Sequence, residues 1–107
     1  MGLKVLGQSI PSAATSTLFY TVPVSTSTVV STLTVCNQSA TPTSFRISIG
    51  IAGAVLSTAQ YLYYDVPIEG NTTFAATLGI TLATTDVIRV YATLGTLSFN
   101  AFGEEIS

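Results

Sequence analysis

Histidine is absent from this chain, which removes the commonest acid–base and metal-ligand side chain at one stroke. A single cysteine, Cys36, excludes an internal disulfide, and zinc held by one thiolate without imidazole is chemically implausible. Cys36 also has no histidine to activate it as a nucleophile, so its position in a strand pattern predicts a small buried hydrophobe. Only three cations are present, Lys4, Arg46 and Arg89, too few for the basic patch that neutralises phosphates, so no nucleic-acid partner is expected. No apolar run approaches the roughly 20 residues of a membrane-spanning helix, and no membrane partner is expected. The first residues lack the apolar stretch of a secretion signal. Gly2 follows Met1, but Leu6 stands where a myristoylation motif requires Ser or Thr.

Charge as a whole is scarce. Charged residues make up 7% of the 107 positions, against roughly 25% in an average soluble domain, while hydrophobic residues make up 48%. Ser and Thr fill the remaining surface, and a net charge of −2 provides little mutual repulsion. Much of the exterior is therefore expected to be covered by partners or by copies of the same chain. The five carboxylates, Asp65, Glu69, Asp86, Glu104 and Glu105, show no spacing that singles out a catalytic pair. Asp86 reads as the end of a turn, and Glu104 with Glu105 as a solvated tail. The serines lack a Gly-x-Ser-x-Gly elbow, and loop carboxylates leave calcium as the one metal they could serve. No enzymatic activity, cofactor or metal is expected.

What the chain does contain is alternation. Val29 to Cys36 is rich in β-branched residues, Asn37 to Pro42 reads as a turn, and Phe45 to Ile51 alternates apolar with small or polar side chains. The segment from Thr28 to Ile51 is predicted to be a β-hairpin, with Phe45, Ile47, Ile49 and Ile51 facing inward. Ser44, Arg46, Ser48 and Gly50 are predicted to face outward. Further strands are expected over Lys4–Ser9, Thr17–Val22, Gln60–Val66, Phe74–Leu78, Val87–Ala92 and Thr96–Phe102. Gly79 to Thr85 reads as a connection anchored by Ile80 and Leu82, and a single helical turn is admissible near Leu56. In the aromatic strand, period-two alternation places Tyr61 with Tyr63 on one face and Leu62, Tyr64 and Val66 on the other. The triplets Asn37-Gln38-Ser39 and Asn71-Thr72-Thr73 read as turn chemistry. About eight short strands at regular spacing predict an all-β fold: one antiparallel two-sheet β-sandwich of jelly-roll or immunoglobulin-like type over residues 1–107, with an N-terminal arm at 1–5.

The runs Leu3-Lys4-Val5-Leu6-Gly7-Gln8-Ser9, Tyr20-Thr21-Val22-Pro23, Val29 to Asn37, Gln60 to Asp65 and Asp86 to Tyr91 together resemble small virion structural proteins of tailed phages, cyanophages among them. The resemblance spans nearly the whole chain and is closest to the capsid decoration, or cement, proteins; similar short sequences occur in tail and fibre components. Its motifs are strand patterns, so no catalytic residue is carried over. The resemblance implies a place on the capsid surface of a virion, synthesis in the host cytoplasm and a major capsid protein as partner. Exposed strand edges suit a homodimer or homotrimer. The expected interface residues are Gly2, Leu3, Lys4 and Val5 in the arm and Tyr61, Tyr63 and Tyr64, since tyrosine is enriched both in protein interfaces and in carbohydrate platforms. The competing expectation is a receptor- or glycan-binding module of a tail fibre.

Overall fold

The computed structural model describes residues 3–107 and is built from eight strands: β1 (Leu3–Ser9), β2 (Thr17–Thr21), β3 (Ser27–Asn37), β4 (Thr43–Gly50), β5 (Tyr61–Ile68), β6 (Thr73–Leu82), β7 (Val87–Ala92) and β8 (Leu97–Ile106). They form two antiparallel sheets of four, ordered β1-β8-β3-β6 and β2-β7-β4-β5. The two sheets pack face to face as a β-sandwich. Only β4 and β5 are both consecutive in the chain and neighbours in a sheet; every other connection crosses between layers. That winding is the jelly roll, in which long crossovers carry the chain back and forth between two sheets.

The core lies between the sheets and is filled from both. Leu33, Val35, Leu97, Phe99 and Ala101 point down from one sheet, and Phe45, Ile47, Ile88, Val90 and Ala92 point up from the other. Phe45 sits at the centre, its ring 5.2 Å from Phe74 and 6.2 Å from Phe99 across the layers. Residues of one strand reach one face at every second position, so the alternation legible in Phe45–Ile49 is the condition for this packing.

The predicted hairpin over Thr28–Ile51 does not form. β3 and β4 are the inner strands of opposite sheets and face each other across the core. Residues 38–42 form an arch rather than a hairpin turn, and Asn37 supplies the reason. Its side chain, 1% exposed, donates through Nδ2 to the carbonyls of Thr41 (2.9 Å) and Glu69 (3.3 Å). Its Oδ1 accepts from the Ser39 N–H (3.1 Å) and the Thr96 hydroxyl (3.2 Å). One buried amide thus uses its whole hydrogen-bonding capacity to tie three interlayer connections together. Gly70 fits beside this knot because a Cβ there would lie 2.1 Å from the Ala40 carbonyl oxygen.

Other boundaries also differ from expectation. β6 continues through Leu82, so Gly79–Leu82 is strand, with a register shift at Leu78–Gly79 where Gly79 adopts φ +67. Ile80 and Leu82 do point into the core. Ile51 is not an inward residue: the chain leaves β4 at Gly50 into a short 3-10 turn, Ile51–Gly53, which turns that side chain outward. A second 3-10 turn spans Thr58–Gln60. β8 runs to Ile106, so Glu104 and Glu105 are strand residues rather than a free tail. Leu3, Lys4 and Val5 belong to β1 and pair with Glu104, Gly103 and Phe102; they are not a detached arm. Gly2 and Met1 lie outside the described residues. Cys36 is half-buried on the outer side of its sheet, between Ser98 and Thr73, because Val35 and Asn37 take the two inward positions around it.

Candidate functional site

The charged side chains are few enough to follow individually. On the outer face of the β2-β7-β4-β5 sheet, Arg46 of β4 meets Asp65 of β5 through two hydrogen bonds, Nε to Oδ1 at 2.6 Å and Nη2 to Oδ2 at 3.3 Å. Its guanidinium carbon lies 4.2 Å from the Tyr64 ring centroid and 4.3 Å from that of Tyr91, with Tyr61 further off at 6.0 Å. The hydrogen bonds to Asp65 hold the guanidinium proton even more firmly than in free arginine. A planar cation between aromatic rings gains both stacking and charge–quadrupole attraction.

This cluster depends on irregularity in β5. The β4–β5 register shifts twice, and Asp65 adopts φ +50, a left-handed conformation that Asp tolerates better than most residues. The bulges break the period of two. Tyr63 and Val66 turn inward, where the Tyr63 ring lies 6.2 Å from Phe45 and 5.4 Å from Phe74. Tyr61 and Tyr64 turn outward and meet edge to face at 4.9 Å. The sequence-based pairing of Tyr61 with Tyr63 is therefore replaced by Tyr61 with Tyr64, and Tyr63 is packed with the core.

A second polar group ties the layers together near the β1–β2 margin. Glu105 accepts a hydrogen bond from Lys4 Nζ at 2.8 Å and another from the Tyr20 hydroxyl, which lies 2.9 Å from Thr28 Oγ1. These four residues belong to β8, β1, β2 and β3 and so link both sheets. Burial, with the Glu105 carboxylate beside it, pushes the Tyr20 phenol up to about 12. Donation from Lys4 and from Tyr20 holds the Glu105 carboxyl below its usual range. Asp86 acts on the backbone instead, where its two oxygens accept the N–H groups of Ala52 and Ala83, each at 2.9 Å, and so fasten two turns. Arg89, the third cation, has Nη1 enclosed without a hydrogen-bond partner, 2.9 Å from where a Cβ on Gly50 would stand. Among the described residues no three of Asp, Glu and Cys converge as a metal site would require.

Exposed apolar side chains are spread over the surface, Ile10, Leu18, Val24, Leu78, Leu94 and Ile106 among them, and in two places several stand close together. Leu3 (81% exposed) and Val5 of β1 stand beside Phe102 of β8 on the outer face of their sheet, around a shallow depression that Lys4 and Ser31 also line. Around the β4–β5 connection, Ile51 (76%) and Leu62 line a hollow of about 440 Å³ with Ile49, Ala54, Ser57, Ala59 and Gln60, and Val55 (87%) stands exposed on the same connection. β1 lies over β2 at one long margin of the sandwich, while β5 and β6 meet at the other through Tyr63 and Phe74. The two patches thus occupy different sheets and opposite margins. Of the expected interface residues, Leu3 and Val5 fall in the first patch, Lys4 is engaged by Glu105, and Tyr61 and Tyr64 belong to the arginine cluster. Sequence reading missed Phe102, Ile51, Val55 and Leu62. Val55 alone carried a signal, an isolated branched apolar residue among small ones in a loop.

Compared with known proteins, the chain matches no family model, no curated protein and no solved structure.

Proposed function

We propose that this protein is a structural adhesion module of a phage virion, a capsid decoration or cement protein that binds across joints between capsid subunits. The observation that carries the reading is the pair of exposed apolar patches at opposite margins of a weakly charged sandwich. A molecule that bridges two subunits needs two adhesive surfaces held at a fixed separation, and exposed apolar clusters are the usual mark of such surfaces. Binding the assembled shell but not its separated parts stabilises the shell by mass action, and no chemistry is required. The strand runs that resemble virion proteins of tailed phages first suggested this reading, and no match to a known protein adds to it. Jelly rolls serve many functions, so the fold is compatible with it without selecting it.

One observation favours the rival, a glycan-binding module of a tail fibre: Tyr64 is exposed on a sheet face beside Asp65 and Arg46, an aromatic platform with polar groups at its rim. The guanidinium lies over that ring and Tyr61 meets it edge to face, so a sugar would stack on the part of the ring left exposed. Tyr63, packed against Phe45 and Phe74, is not available for stacking.

Purified protein added to heads lacking it should co-sediment with them and raise their resistance to heat or chelation. Leu3→Ser together with Val55→Ser should abolish binding while the circular dichroism spectrum is unchanged. Retention of the variant on heads at wild-type affinity would overturn the reading, as would binding to a glycan array that is lost in Tyr64→Ala while heads are ignored.

A further inference from the structure

Each sheet has two edge strands, β1 and β6 in one and β2 and β5 in the other, and an unpaired edge is a template for another strand. Three of the four carry devices that discourage pairing. β1 bears Lys4 and a register shift between Val5 and Gly7. β2 has only five residues, shifts register between Leu18 and Tyr20, and is followed by Pro23 two positions on. β5 contains Pro67 and the bulged Asp65. β6 is different: it has ten residues, Thr73-Phe74-Ala75-Ala76-Thr77-Leu78-Gly79-Ile80-Thr81-Leu82, with no charge and no proline. Its irregularity is confined to Leu78–Gly79, so Thr73–Thr77 runs in unbroken register along β3, from Cys36 to Thr32.

We propose that this edge is where two copies of the chain join, β6 against β6 in antiparallel pairing about a two-fold axis at Ala75, which fuses two four-stranded sheets into one of eight. The segment is complementary to itself. With Ala75 opposite Ala75 of the second copy, Thr73 falls opposite Thr77 and Phe74 opposite Ala76, on both sides of the axis. Thr73, Ala75 and Thr77 point to the outer face and are exposed, so the outer row reads threonine, alanine, threonine from either direction. Threonine pairs are favourable cross-strand neighbours, and alanine at the centre leaves room for close approach. On the inner face the large Phe74 ring, packed with Phe45 and Tyr63, meets the small Ala76 and extends the core across the junction. No ionisable group lies in the paired segment, so the two-fold sets no like charges against each other. A two-fold pairing of this kind is closed, which removes the exposed edge from both copies. The pairing depends on the edge alone and not on what the protein adheres to.

The test is the oligomeric state. Sedimentation equilibrium of the whole chain should give twice the 11.1 kDa of one copy. Ala75→Lys, which sets two ammonium groups face to face, should weaken the dimer by about tenfold or more. Thr81→Lys, on the same strand beyond the paired segment, should leave it intact. Mixing Ala75→Lys with Ala75→Glu should restore a dimer, which shows that each variant is folded. Oxidation of Ala75→Cys in a Cys36→Ser background should give a covalent dimer. A wild-type monomer at millimolar concentration overturns the proposal, and so does a dimer indifferent to Ala75→Lys or an Ala75→Cys chain that stays unlinked. Head binding by a monomeric protein would overturn this pairing and leave the adhesion reading standing.

Discussion

Replacing Asn37 by alanine removes four hydrogen bonds at the point where three interlayer connections meet. Each intramolecular hydrogen bond contributes about 1 kcal/mol net, and partners stranded away from water cost about 1–3 kcal/mol each. The carbonyls of Thr41 and Glu69 and the hydroxyl of Thr96 lie in partly buried surroundings, so some regain water and the expected loss is about 2–4 kcal/mol. Against a total stability of about 5–15 kcal/mol for a domain of this kind, that is a large fraction. The melting temperature should fall by roughly 8–32 °C, since about 1 kcal/mol corresponds to 4–8 °C at this chain length. Asn37→Asp keeps both acceptor bonds but sets a carboxylate oxygen against two carbonyl oxygens; at pH 7 it should cost at least as much. Gln38→Ala, one residue on and exposed, should change stability by no more than about 0.5 kcal/mol. Urea titration of the three variants, with the slope compared to confirm unchanged two-state unfolding, reads these values directly. A loss below about 1 kcal/mol in Asn37→Ala would refute the reasoning that this amide holds the arches together.

Four further outcomes follow from the geometry. Tyr63→Ala should cost about 3–5 kcal/mol because its ring packs with Phe45 and Phe74, whereas Tyr64→Ala should cost about 1 kcal/mol or less; equal losses in urea titration would contradict the bulged path of β5. Gly103→Ala puts a Cβ 2.0 Å from the Val29 carbonyl oxygen between β8 and β3 and should cost about 3 kcal/mol or more, read as a collapse in melting temperature. The Glu105 carboxyl is held low in the folded chain, so its contribution is present above pH 4.5 and lost as pH falls through the depressed value; Glu105→Gln should flatten the acid limb of a stability–pH profile. The Tyr20 phenol is held high, so its contribution is complete below pH 10 and lost as pH rises toward about 12; Tyr20→Phe should remove that alkaline loss.

The fold class is legible in the sequence because alternation survives whatever a strand pairs with. Phe45 and Ile47 face the core and Arg46 faces outward, as their spacing requires. The same alternation is blind to partnership: β3 and β4 each need one buried face whether they lie side by side in a hairpin or face to face across a core. What separates the two is the Asn37 amide, whose partners Glu69 and Thr96 are remote in sequence. Alternation misplaces the faces of β5 for a related reason, since its bulges are set by pairing with β4 and by the left-handed turn at Asp65. Glu105 looks solvated in sequence because its partners, Lys4 and Tyr20, come from the other end of the chain. The apolar patches are half legible: Leu3 and Val5 stand out at the start of the chain, while Ile51 is drawn toward the core by an alternation that ends one residue earlier.

The adhesion reading is tested most directly by an electron-microscopic reconstruction of intact phage particles that contain this protein. The account predicts jelly-roll density seated over joints between capsid subunits, with the Leu3–Val5–Phe102 patch and the Ile51–Val55–Leu62 patch turned toward neighbouring protein. Heads free of such density, with the purified chain showing no affinity for them, would contradict it.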